Sequence, residues 1–114
     1  MLELSASDRG GFHVVRLAGE LTAVDAGRLE NTIGELGVGE AGHMALELSE
    51  LKSIDSSGLS ALIHLVTRAR LTRGRVVLVA PSAFVSGILN VTRLDRWFDV
   101  CGTLSDAERW MRDA

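Results

Sequence analysis

The stretch LELSELKSIDSSGLSALIHLVTRARLTRGRVVLVA, Leu46–Ala80, decides the fold. At its start Met44, Leu46 and Leu48 alternate with Ala45, Glu47 and Ser49, the two-residue period of a half-exposed strand. At its end Val76-Val77-Leu78-Val79-Ala80 is continuously apolar and β-branched, which predicts a strand covered on both faces. Between them Leu59, Leu62, Ile63 and Val66 recur at helical spacing. A helix is therefore expected to start at Ser56–Gly58 and to end near Gly74.

Working outward, Met1–Ser7 and Phe12–Ala18 read as strands flanking the turn Asp8-Arg9-Gly10-Gly11, a hairpin. Thr22 can cap a helix, with Asp25 three residues on as its capping-box partner. Val24, Leu29, Ile33 and Leu36 fall on that helix's apolar stripe, and Gly37, Gly39 and Gly42 end it. Downstream, Pro81-Ser82 restarts a helix over Ala83 to about Thr92, with Phe84, Ile88 and Leu89 inward. Trp97–Cys101 reads as a last short strand, and Ser105-Asp106-Ala107-Glu108 has the spacing of a capping box that opens a helix through Met111. The order ββαβαβα(β)α predicts an α/β protein: one domain over 1–114, a mixed four- to five-stranded sheet packed against about four helices.

Composition narrows the function classes. A chain of 114 residues suits one domain, and a net charge of −3 argues against a nucleic-acid binder that relies on bulk charge. Residues 1–55 hold ten acids and four bases, whereas 56–114 hold five acids and eight bases, which predicts an uneven electrostatic potential across one folded body and not two domains. The lone cysteine, Cys101, excludes a disulfide framework and a Cys-rich zinc site, and reads as a partly buried structural thiol. No apolar run approaches the roughly 20 residues of a membrane span. The opening MLELSASDRG has neither a basic nor an apolar signal region. A cytoplasmic protein is expected.

Enzyme motifs are missing. The glycines at 34, 37, 39 and 42 are followed by no Lys-Ser or Lys-Thr, so there is no phosphate loop. Ser56 has Ile54 two residues before it, not the glycine of a nucleophile elbow. His13, His43 and His64 fall on three different elements and never pair at metal-ligand spacing. Ser60 and His64, four apart on a helix, could hydrogen-bond, but two exposed helix residues is the simpler reading of them than a catalytic pair. No catalytic role, metal or cofactor is expected. Asp55-Ser56-Ser57-Gly58 stands apart, at the passage from strand to amphipathic helix. One reading is structural: Ser56 or Ser57 caps the helix, Asp55 favours its dipole and Gly58 eases the turn. The other is a switch, because a phosphate on a serine there meets free N–H groups and positive potential, and the fold tolerates it.

GELT (Gly19–Thr22), LELSELKSIDSSGLSALIHL (Leu46–Leu65) and RVVLVAPSAFVSGILNVTRLDRWFDV (Arg75–Val100) together resemble, in one register, the STAS domain of bacterial anti-sigma factor antagonists. The most specific part is Ile54–Leu59, a hydrophobic-Asp-Ser-Ser-Gly-Leu segment. The resemblance implies a partner-switching protein and not an enzyme. Ser56 would accept a phosphoryl group from an anti-sigma factor that is also a GHKL-type serine kinase, and a metal-dependent serine phosphatase would remove it. The unphosphorylated form would bind the anti-sigma factor and release the sigma factor in transcription control. Asp55, Ser57 and Gly58 would support the site, and Thr22, Leu59, Ser60 and His64 are candidates for the partner surface. Two positions depart from the family pattern: Thr22 stands where an aspartate is frequent, and Arg93 stands within Thr92-Arg93-Leu94 where a glycine is usual. Two further readings remain open, a constitutive STAS adaptor or scaffold, such as a lipid-transport subunit, and a nucleotide-binding domain.

Overall fold

The computed structural model describes residues 1–35 and 42–112. Strands β1 (Leu2–Asp8) and β2 (His13–Leu21) pair antiparallel from Leu2 against Gly19 to Asp8 against His13, which is the predicted hairpin. Then follow α1 (Ala23–Glu35), β3 (His43–Ile54), α2 (Ser56–Leu71), β4 (Arg75–Val79) and α3 (Ala83–Val91). A 3-10 turn over Leu94–Arg96 leads into β5 (Asp99–Cys101) and α4 (Leu104–Arg112). The five strands form one mixed sheet in the order β1-β2-β3-β4-β5, parallel from β2 to β5. The α/β class and the mixed sheet are as the sequence predicts. The expected ends of the first helix, at Leu36, Gly37 and Gly39, lie outside the described residues.

Helices α1, α2 and α3 cover one face, where Leu29, Ile33, Leu62, Val66, Val85 and Leu89 close over Leu17, Leu46, Leu48 and Leu78. Helix α4 packs on the other, with Ala107, Leu104 and Trp110 against Phe12, Val14, Ala45, Val77 and Val79. This second layer corrects the reading of β3. The alternation of polar and apolar residues suggests a half-exposed strand, yet Met44–Leu48 are all buried, because α4 covers Ala45 on the second face while Arg16 and the Ser49 backbone close over Glu47 beside it.

Four further expectations change. Val24 is 88% exposed, because it precedes Leu29 by five residues, about 140° around the helix from the Leu29–Ile33 stripe. Phe84 is half exposed, since the first turn of α3 turns Val85 and Leu89 inward instead. The cap of α4 is Thr103, whose Oγ1 accepts from the Asp106 N–H at 3.1 Å, two residues earlier than the Ser105 box implied. Trp97 is not in a strand: Arg70 lies over its ring at 4.4 Å and donates to its carbonyl, fixing the 3-10 turn ahead of β5. Arg93 has φ 61°, ψ 19°, a left-handed conformation natural to glycine, which accounts for the glycine usual at that position.

Glu47 is the buried charged residue among those described. Its Oε2 accepts from Arg16 Nε at 2.7 Å and its Oε1 from the Ser49 N–H at 2.8 Å. Burial pushes its pKa up, but the hydrogen bonds from Ser49 and Arg16 outweigh that and hold it below its ordinary value. A carboxyl whose pKa is lowered by folding stabilises the native state fully above the unfolded pKa, roughly 4.3, and loses that contribution as pH falls through the folded value. The Glu47→Gln variant should therefore show a shallower loss of thermal stability than wild type as pH is lowered below about 4.5. Parallel acid limbs for the two proteins would contradict this.

Candidate functional site

Strands β2 and β3 run parallel and end together, Leu21 against Ile54. Each then turns into a helix, so the positive ends of α1 and α2 open side by side. Asp55 joins them. Its N–H donates to the Leu21 carbonyl at 3.2 Å, and its own carbonyl accepts from the Leu59 N–H at 2.9 Å. Its Oδ1 accepts from the Gly58 N–H at 2.8 Å and its Oδ2 from the Ala23 N–H at 3.4 Å. One carboxylate thus serves the first turns of two helices, with the extended backbone (φ −96°, ψ −178°) of an N-cap.

The junction is tight. A Cβ on Gly58 would stand 2.3 Å from the Leu21 carbonyl oxygen, the same atom that accepts from Asp55, and 3.0 Å from Ile54 Cγ1. Only glycine lets α2 approach β2 this closely. The sequence leaves Ser56 or Ser57 as the cap; the structure gives that task to Asp55. The consequence is chemical. Both serines are exposed, and neither hydroxyl has a hydrogen-bond partner among the described residues. The amides of Ser56 and Ser57 are the orphan donors of the first turn.

From Ser56 the outer face of α2 continues at helical spacing through Ser60, His64 and Thr67, all exposed. That stripe carries no formal charge before Arg68 with histidine neutral. Ser60 and His64 share it without a hydrogen bond between them. Leu59 is half buried against the core and faces inward more than outward. Thr22 is half buried at the start of α1; its carbonyl, not its hydroxyl, accepts from the Asp25 and Ala26 N–H groups. Asp25 pairs with Arg28 at 3.9 Å and so makes no capping box. Among the described residues no group of three or more His, Cys, Asp or Glu is placed to hold a metal. Cys101 is half buried, its Sγ 3.5 Å from the Thr103 carbonyl, and burial and Asp106 push its thiol pKa up. The Ala23 contact of Asp55 was beyond sequence reasoning, which shows local caps but not a carboxylate shared between distant helices. The Asp-x-x-Gly spacing could have pointed to Asp55 as the cap.

The family model described as STAS domain matches residues 3–107. A Thermotoga neapolitana protein described as a candidate anti-sigma factor antagonist is 34% identical over 62 residues, 54% of this chain and 55% of that protein. The match thus spans little more than half of that relative's length. The crystal structure of a candidate anti-sigma factor antagonist from Thermotoga maritima superimposes with a TM-score of 0.86 at 24% identity, covering 96% of this chain and 94% of that one. The Bacillus anti-sigma factor antagonist SpoIIAA, in its unphosphorylated form, gives 0.80 at 21% identity over 98% of both chains. Its phosphorylated form gives 0.70 at 21% identity, over 96% of this chain and 98% of that one. At these identities the superpositions show a shared fold.

Removing the Asp55 side chain (Asp55→Ala) should lower stability by about 1–2 kcal/mol, the loss of the α2 cap together with the longer bond to the head of α1. Gly58→Ala should cost more, about 2–4 kcal/mol, because its Cβ displaces backbone and not a flexible side chain. Thermal or urea unfolding of the two variants checks the order. A Gly58→Ala protein as stable as wild type would contradict the close approach of α2 to Leu21.

Proposed function

The chain belongs to the STAS domain family, and we propose that it is an anti-sigma factor antagonist switched by phosphorylation of Ser56. In its unmodified form it binds an anti-sigma factor that is also a GHKL-type serine kinase, and the sigma factor is released. The kinase moves the γ-phosphoryl of its own ATP to Ser56 Oγ, leaving ADP and a proton, and a metal-dependent phosphatase later hydrolyses the ester. The ATP and the metal belong to the partners; this chain supplies the acceptor and the surface, acting in the cytoplasm on transcription.

The observation that carries this reading is the division of labour at the junction. Asp55 makes the cap, so the Ser56 hydroxyl is exposed, without a hydrogen-bond partner among the described residues, and can be esterified without costing the helix a structural bond. A phosphate there adds close to two negative charges at the head of an uncharged stripe. The open amides and the dipole of α2 favour it by about 0.3–1 kcal/mol, and Asp55 opposes it by a comparable screened repulsion. Folding is nearly unaffected. At a partner interface the same group must be desolvated or face acidic side chains, an effect of about 3 kcal/mol or roughly a hundredfold in affinity. The relatives described as anti-sigma factor antagonists support the partner class. Ser60 and His64 lie on the exposed stripe that runs along α2 from Ser56, and Thr22 lies at the start of α1; these are the positions at which partner choice is read.

Incubation with ATP and the GHKL-type anti-sigma kinases of the source organism should add one phosphate to wild type and none to Ser56→Ala. By calorimetry Ser56→Ala should bind that kinase as wild type does, whereas Ser56→Asp should bind at least tenfold more weakly, each melting within a few degrees of wild type. Labelling that persists in Ser56→Ala would move the acceptor to another residue, and a Ser56→Asp protein that binds as tightly as wild type would favour a constitutive adaptor; either result overturns the reading.

A further inference from the structure

Helix α4 covers only the β3, β4 and β5 side of the second sheet face, and the rest is an open groove of about 470 Å³. Val14, Val79 and Leu104 give it an apolar wall, and serine hydroxyls of β1 line its far rim. Arg16 and Glu47 lie in it together. Glu47 is fixed from two sides, by the Ser49 N–H and by Arg16 Nε, and its side chain is only 10% exposed. Arg16 is therefore held by one edge of its guanidinium. Its two Nη groups have no protein partner among the described residues, and its side chain is 57% exposed. At the other end of the groove α4 begins at Leu104, presenting first-turn amides beside Thr103.

We propose that this groove binds a small amphiphilic carboxylate, its headgroup on the Nη fork of Arg16 and its apolar body along Val14, Val79 and Leu104. A guanidinium held at Nε offers two parallel N–H donors that match a planar carboxylate. Glu47 is a positioning residue: already neutralised by its two partners, it aims the fork instead of contacting ligand. The volume lies within the range of small-molecule sites and leaves room for the alkyl chain of a hexanoate. The site stands on the opposite sheet face from α1 and α2, so it does not rest on the function proposed for Ser56.

Titration of the ¹⁵N-labelled protein with sodium hexanoate, at constant ionic strength, tests this by NMR. Saturable shifts are expected at Val14, Ala80, Thr103 and Leu104 and at the Arg16 Nε–H resonance. Arg16→Gln should weaken the affinity by about tenfold or more, and Glu47→Gln by less, both keeping the wild-type spectrum elsewhere. 1-Hexanol, hexylamine and inorganic phosphate are the controls. No saturation with hexanoate, undiminished binding by Arg16→Gln, or equal binding of any control would overturn the proposal; phosphate binding equally would mark a bare oxyanion site.

Discussion

The carbonyl oxygen of Leu21 is the point on which the arrangement turns. It accepts the Asp55 N–H at the end of β3, and it stands where a side chain on Gly58 would have to go. Those two facts bring the first turn of α2 against the end of β2. They also place the Asp55 carboxylate within reach of Ala23 at the head of α1. Two helix N-termini are thereby held by one side chain. A negative charge is favourable there twice over, which makes the junction a stable place for an aspartate and a tolerant place for a phosphate. The exposed serines follow from the same constraint, since the residue that would otherwise have to cap the helix is relieved of that duty.

The sheet's two faces serve different ends. The first is a continuous apolar core under three helices, including Leu17, Leu46, Leu62 and Leu78 with no measurable exposure. The second is covered only in part by α4, and the uncovered part holds the Arg16–Glu47 pair. A buried carboxylate in the central strand is costly unless every lone pair it exposes to the interior is met, and Glu47 meets that condition through Ser49 and Arg16. A purely structural strand at this position would do as well with an apolar residue. Of the pair, only Arg16 reaches the surface, and its Nη donors face the groove.

Much of this was legible in the sequence, for identifiable reasons. The apolar run Val76–Ala80 and the stripe of α2 are periodic over several turns or a whole strand, so they could be read without tertiary knowledge. The Asp-Ser-Ser-Gly segment could be placed at the head of a helix for the same reason. What failed depended on layers. Nothing within β3 announces that α4 returns to bury Ala45, because the residues of α4 lie some sixty positions downstream. Val24 and Phe84 sit in first turns, where a helix overhangs the core and its period says little about burial. The cap of α2 was ambiguous because three good capping residues stand in a row, and the bond from the Gly58 N–H to Asp55 separates them. The ties from Glu47 to Arg16 and from Asp55 to Ala23 span 31 and 32 residues, and both are pairings that no local pattern encodes.

The central claim is that modification at Ser56 changes a surface and leaves the fold alone. Amide hydrogen exchange, compared between the unmodified protein and the protein phosphorylated at Ser56, tests it most directly. The account predicts altered exchange only around Leu21–Ala26 and Asp55–Ser60, where the phosphate and the two helix ends meet, with unchanged protection at Leu46 in β3, Leu78 in β4 and Leu65 in α2. Loss of protection in those strands or through the body of α2 would contradict it.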